Sequence, residues 1–175
     1  MSDQDEIYDV VDEQDRVIGK ATRSEIHKKN LLHRSIHILV FNSKNQLFLQ
    51  KRSMAKDENP GLWDTSSAGH VDSGESYDES AHRELYEELR ITAELNPLTK
   101  IKACNETYQE HVQVYFCKTD AIININQEEI SEGKYFDLTA LKNEIQERPD
   151  QYTSSLKLIL KNYSGKIIRN TQITL

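Results

Sequence analysis

Residues 81 to 90, AHRELYEELR, put three glutamates into five positions of a stretch with helical periodicity. Ser76 and Glu79 carry the spacing of a capping box, so the helix should begin near Ser76. Turning ~100° per residue, Ala81, Leu85 and Leu89 form one apolar stripe. Glu88 falls inside the arc of that stripe, Glu84 on its edge and Glu87 a little further round. The stripe must pack against something, so at least one glutamate is desolvated and needs a counter-charge. Each like-charge pair on a helix costs a few tenths of a kcal/mol. Arg83 reaches Glu87 four residues on, but one guanidinium does not neutralise three carboxylates. A hard divalent cation does, and it leaves coordination positions for water and phosphate. The competing reading is a solvated surface helix laced with i,i+4 pairs.

The rest of the chain supplies the partner surface. "IYDVV" and "RVIGKA" flank the polar turn "DEQD" and read as an N-terminal hairpin, followed by "RSEIHKKNLLHR" as a connection or short helix. "SIHILVFN" and "QLFLQKR" are apolar strands around "SKN". A loop punctuated by Asn59-Pro60-Gly61 comes next. Beyond the glutamate helix, "TKIKACNET" and "HVQVYFCK" read as a second pair of strands. "LTALKNEIQE" and "DQYTSSLKLILKNY" read as helices, the latter starting just after Pro149. This order predicts an α/β (α+β) sandwich around one core, in a single domain over 1–175.

A net charge of -7 excludes a protein that coats nucleic acid or anionic membrane, while leaving room for a small phosphorylated substrate. Cys104 and Cys117 have no CxxC spacing and lie in apolar runs, which predicts buried free thiols. The first ten residues lack the pattern of a secretion signal, and no apolar run approaches the ~20 residues that span a bilayer. The chain therefore reads as cytoplasmic, and a homodimer is an ordinary outcome for a domain of this size.

From Gly69 the sequence runs GHVDSGESYDESAHRELYEELRI, which fits G-x5-E-x7-R-E-U-x-E-E-x-G-U, where U is bulky and aliphatic. Residues 69–91 thus resemble the box of the Nudix hydrolase superfamily. The resemblance implies a Nudix fold: a mixed sheet between helices, here extended by the hairpin and connection of residues 1–32. It implies cleavage of a diphosphate linkage in a nucleoside di- or triphosphate or a nucleoside diphosphate derivative, with Mg²⁺ or Mn²⁺. Glu84, Glu87, Glu88 and the Gly69 carbonyl would hold the cation, Arg83 would orient the glutamates and Glu75 would support the loop. One position departs from the pattern. The glycine near the helix end is Arg90, which predicts a changed helix exit with metal binding retained.

The flanking segments "LLHRSIHILVFNSKNQLFLQKRS" and "PGLWDTSSAGHV" resemble the isopentenyl-diphosphate isomerase branch of the superfamily, which also contains hydrolases. That likeness implies diphosphate contacts from Arg52 and Lys56 and a second metal site at His27, His33 and His70. The isomerase needs a cysteine five residues after Trp63, where Ala68 stands. Where two further glutamate ligands are expected stand Gln109 and His111, with Glu110 between. His111 serves only if the strand register allows. Alanine donates no proton, so hydrolysis is favoured over isomerisation, with a non-catalytic binding module as a third alternative. His37, between Ile36 and Ile38, reads as a structural histidine. Trp63 reads as a packing residue at the site loop. Glu88, Glu106 and Glu110 are the candidates for the general base.

Overall fold

The computed structural model describes residues 6–171. Its strands are β1 (Ile7–Val11), β2 (Val17–Thr22), β3 (His33–Phe41), β4 (Leu47–Arg52), β5 (Trp63–Asp64), β6 (Ser67–His70), β7 (Asn96–Ile101), β8 (Glu110–Lys118) and β9 (Ile130–Phe136). Its helices are α1 (Arg23–Lys29), α2 (Tyr77–Leu89), α3 (Leu138–Glu147) and α4 (Ser154–Thr171). The hairpin β1–β2 is a sheet of its own, and the other seven strands form a mixed sheet in the order β5-β4-β3-β8-β7, with β6 on β3 and β9 on β4. The pairing of β3 with β8 is parallel and sets His33 beside Glu110 and Arg34 beside His111.

Alternation along β3 builds two apolar layers rather than the single core expected from the order of elements. Ile36, Ile38 and Val40 pack with Ala81, Leu85 and Leu89 of α2. Leu39 and Phe41 pack with Leu138 and Leu141 of α3 and with Leu156 and Ile159 of α4. A third cluster of Tyr8, Ala21 and Ile26 lies under the hairpin. The hairpin is fastened by Asp15, in left-handed conformation at φ 62°. It takes Arg34 Nε at 2.6 Å, the Tyr77 hydroxyl at 3.1 Å and Lys100 Nζ. Among the described residues no helix is long and apolar enough to cross a membrane.

Three expectations change. First, α4 begins at Ser154, not just after Pro149, because Tyr152 bridges Trp63 and Thr153 N–H bonds the Trp63 carbonyl at 3.0 Å. The extended pair delays the helix, which Thr153 Oγ1 then caps by accepting from Leu156 N–H at 3.3 Å. Second, β5 lies in the segment that reads as loop, β6 and β9 have no counterpart among the expected strands, and β7 ends at Ile101 rather than running on to Thr107. Only Ile130 and Phe136 of the seven residues of β9 are buried, too few for an apolar alternation, and Gly133 lies flat against the Phe48 ring, where a Cβ would meet Cζ at 2.3 Å. Third, Cys117 is a buried free thiol as expected, whereas Cys104 is only half-buried, in the turn before β8.

Candidate active site

Helix α2 starts as its sequence dictates. The Ser76 side chain accepts from Glu79 N–H and the Glu79 side chain reaches back to Ser76 N–H. The helix ends on Arg90 at φ 56°, ψ 30°, with its N–H on the Tyr86 carbonyl. The exit is therefore the usual left-handed cap, not an altered one, and the arginine bears a conformational cost of roughly 1 kcal/mol. The three glutamates sit at graded depth, as the helical angles require: Glu88 is 2% exposed, while the Glu84 and Glu87 side chains are 13% and 50% exposed.

Arg83 ties the acids together. Its guanidinium meets Glu84 at 2.6 Å, Glu87 at 3.3 Å and Glu75 at 3.0 Å, and donates to the His70 carbonyl at 3.2 Å. Glu75 is held in turn by Arg83 and by the Ser80 hydroxyl. Glu88 is fixed through one oxygen, Oε2, which accepts from Gln50 Nε2 and from Ala68 N–H, both at 3.0 Å. Burial pushes the Glu88 carboxyl up to about 7. Burial and the neighbouring Glu88 charge lift Glu84 well above the usual carboxylate range, against the pull of Arg83. At Gly69 a Cβ would lie 2.2 Å from Glu84 Cδ, so the Glu84 carboxylate occupies space that only glycine leaves open. Raised carboxylates beside bare backbone make this stretch oxygen-rich, although Glu84, Glu87 and Glu88 do not bring three ligand atoms within 4.8 Å of one another.

A cavity of about 400 Å³ opens here, lined by Gly69, Glu84, Glu87 and Arg83 and by Arg52 and Lys56, whereas the buried Glu88 does not line it. Arg52 is oriented by the Glu58 carbonyl at 2.9 Å and by Asp64 at 3.4 Å. Lys56 pairs with Glu129 at 2.6 Å.

The histidines converge in the same region. Among the described residues, His27, His33 and His70 form the one set whose three ligand atoms lie within 4.8 Å of one another. Glu110 Oε1 is 3.2 Å from His70 Nε2 and 3.4 Å from His33 Nε2, and Glu58 is 3.0 Å from His27 Nδ1. His33 Nδ1 lies 3.0 Å from the Leu31 carbonyl, a contact that needs a proton on Nδ1 and leaves Nε2 as a lone pair in the neutral ring. That Nε2 is buried without a hydrogen-bond partner and faces a carboxylate. Two acceptors face to face call for a proton or a cation between them. Burial pulls the His33 pKa down, but Glu110 outweighs it and the net direction is up. Glu110 goes the opposite way, well below its usual value, because His33 and His70 overcome its burial. Tyr8 stacks on His70 at 4.8 Å between centroids.

The NUDIX domain family matches residues 31–157. This chain belongs to the Nudix family. It is 36% identical over 173 residues to an isopentenyl-diphosphate Delta-isomerase 2 of Photorhabdus laumondii, covering 96% of this chain and 98% of that protein. It is 38% identical over 126 residues to an uncharacterized Nudix hydrolase of Pseudomonas aeruginosa, covering 71% and 75%. A crystal structure of a Deinococcus radiodurans protein superposes with a TM-score of 0.73 at 30% identity, covering 81% of this chain and 89% of that one.

The fold brings most of the expected residues of the Nudix box and its flanks together, with exceptions. Glu106 is exposed in a turn where its carbonyl takes the hydroxyls of Ser154 and Ser155, and it does not line the cavity. His111 is no ligand: its ring bonds Ala103 N–H and the Asp12 carbonyl. Glu110, one residue earlier, supplies the carboxylate that seemed absent, since the pleat turns 110 and 111 to opposite faces. His37 is satisfied by Thr65 Oγ1 at 2.7 Å, and burial lowers its pKa. Trp63 packs on Phe136 and stays out of the cavity. Arg23, Asp64, Glu58 and Tyr8 line the cavity unforeseen. Of these, Glu58 had a readable signal, an acid directly before Asn59-Pro60-Gly61 in the site loop.

Proposed function

We propose that this Nudix protein is a Mg²⁺- or Mn²⁺-dependent hydrolase of a diphosphate linkage in a nucleoside di- or triphosphate or a nucleoside diphosphate derivative. The observation that carries the reading is the cavity wall at Ala68. The wall carries Glu84 and Glu87, with Glu88 bonded to the Ala68 N–H behind it, but offers a methyl group where isomerisation needs an acid. The chain has two cysteines, and neither Cys104 nor Cys117 lines the cavity. Glu84, Glu87 and Glu88, with the Gly69 carbonyl, would hold the cation. When bound, it neutralises phosphate oxygens and makes water more acidic. Glu75 holds Arg83, and Arg83 holds Glu84 in place. Arg52 and Lys56, which line the same cavity, would meet the phosphates. Proton acceptance falls to Glu88 or Glu110, both buried at the site.

The test pairs two assays. Purified protein with Mg²⁺ is expected to release phosphate-bearing products from nucleotides. Incubated with isopentenyl diphosphate in deuterated water, it is expected to leave the recovered carbon skeleton free of deuterium. Enzyme-dependent incorporation of deuterium would show that another group replaces the thiol, and would end the hydrolase reading.

A second cation at His27, His33, His70 and Glu110 belongs to the same reading, favoured by the convergence of the three histidines and by His33 Nε2 facing Glu110 at 3.4 Å. Titration of dialysed protein with Mn²⁺ should then show two classes of site, and His33→Asn should remove one. A single class in both proteins removes the histidine site.

A further inference from the structure

Tyr8 and Tyr108 are the two Phe, Tyr or Trp side chains that line the 400 Å³ cavity. Tyr8 is 1% exposed and committed to its stack on His70. Tyr108 is 38% exposed and also lines a second cavity of about 250 Å³. The side chain is not free to wander: its hydroxyl donates to Asn59 Oδ1 at 2.9 Å. That bond joins the turn before β8 to the loop that follows Arg52 and carries Lys56.

The backbone that presents this ring is costly. Tyr108 and Gln109 are consecutive non-glycine residues in left-handed conformation, at φ 54° and 65°, and Asn59 across the bond is at φ 49°. Such residues persist only where their surroundings over-determine them, and they cluster at ligand clamps. Here the surroundings are dense. Gln109 N–H reaches the Cys104 carbonyl at 2.9 Å. Thr107 Oγ1 bonds the Glu110 carbonyl at 2.9 Å, and Ser154 and Ser155 hold Glu106 from α4. The turn sets Glu110 into the buried floor and Tyr108 onto the rim two residues away.

We propose that Tyr108 is the specificity-determining platform on which the planar ring of the substrate stacks, so that the site selects ring-bearing diphosphates over ring-free ones. This rests on the diphosphate reading of the same cavity. The phosphate-facing groups Arg52, Lys56, Glu84 and Glu87 share the cavity with one exposed aromatic face. The lining is mostly polar, with Ile36, Ala55 and Ala68 as small apolar patches, and Tyr108 is its exposed aromatic ring. A nucleobase gains from stacking there, because every base offers a π-face whatever its hydrogen-bonding edge. A short alkenyl tail does not.

Equilibrium binding tests this without turnover, using α,β-methylene analogues of nucleoside diphosphates and, as the ring-free probe, methylenediphosphonate, all with Mg²⁺. Tyr108→Leu is expected to weaken the nucleoside analogues roughly 10- to 100-fold and to leave methylenediphosphonate within about 2-fold. Tyr108→Phe, which keeps the ring and loses only the bond to Asn59, should retain most of the affinity. Equal losses for both probes, no loss for either, or a wild-type protein that binds no nucleoside analogue would each overturn the assignment. Ring-dependent binding with no hydrolysis of any diphosphate would instead sink the hydrolase reading and leave Tyr108 in its role. Hydrolysis without ring dependence would do the reverse.

Discussion

Glu88→Gln is expected to lower Mg²⁺-dependent turnover by roughly two orders of magnitude or more, while raising the melting temperature of the metal-free protein near pH 8. The two effects come from one geometry. Two donors to Glu88, Gln50 Nε2 and Ala68 N–H, land on the same oxygen, Oε2, and the Ser67 hydroxyl, which can donate or accept, also reaches the carboxyl. A glutamine can place its carbonyl there, keep both bonds and put its amide nitrogen where Oε1 was. The replacement therefore removes the charge and leaves the shape. That charge is expensive when buried: its carboxyl is pushed up to about 7 from an ordinary 4.5. Keeping it ionised near pH 8 therefore costs roughly 3 kcal/mol of stability. A variant that is more stable and nearly inactive would identify Glu88 as a residue held for the cation. Wild-type turnover at saturating metal would remove it from the site, and a large fall in melting temperature would show that the packing account is wrong.

The graded burial of Glu84, Glu87 and Glu88 was legible because a helix converts spacing directly into angle, and the apolar stripe says which way the core lies. The capping box at Ser76 and Glu79 was legible for the same reason, since its partners are three residues apart. What depended on strand register was not. Glu110 and His111 are neighbours in sequence, and only the parallel pairing of β8 with β3 decides that 110 faces the histidines. Strand β9 hides because it is an edge with two buried residues, so hydrophobic periodicity has nothing to register. The left-handed pair Tyr108-Gln109 carries no glycine or asparagine to announce it. Arg90 shows the converse: the missing glycine predicts a changed helix exit, yet the arginine adopts the left-handed cap at its own conformational cost.

Mg²⁺ should stabilise this protein increasingly as pH rises, with a small shift in melting temperature near pH 5.5 and a shift of roughly 5–10 °C near pH 8 at about 100 times Kd. Glu84 and Glu88 have folded-state pKa values raised above their ordinary 4.5. The folded protein thus holds their protons to higher pH than the unfolded chain does. Their contribution to stability is complete below about 4.5 and is lost as pH climbs through the raised values, about 7 for Glu88. A cation binds only the ionised pair and offsets the loss where it occurs. Carboxylates with depressed values act in the other direction. Glu110 is lowered by His33 and His70 against its burial, and Asp15 by Lys100 and Arg34 against its burial. Their support is present above the ordinary carboxylate range and fades as acid takes pH down through the lowered values. The metal-free protein should therefore be most stable in mildly acidic solution and weaken on both sides. His33, also raised, loses stability with rising pH in the same sense as the glutamates, so the wild-type curve alone does not separate them. Glu88→Gln does, because it removes one of the glutamates and leaves His33 in place. The growth of the Mg²⁺ shift with pH should shrink in that variant. An Mg²⁺ shift equal near pH 5.5 and near pH 8, or unchanged by Glu88→Gln, would mean that the cation does not bind at these carboxylates.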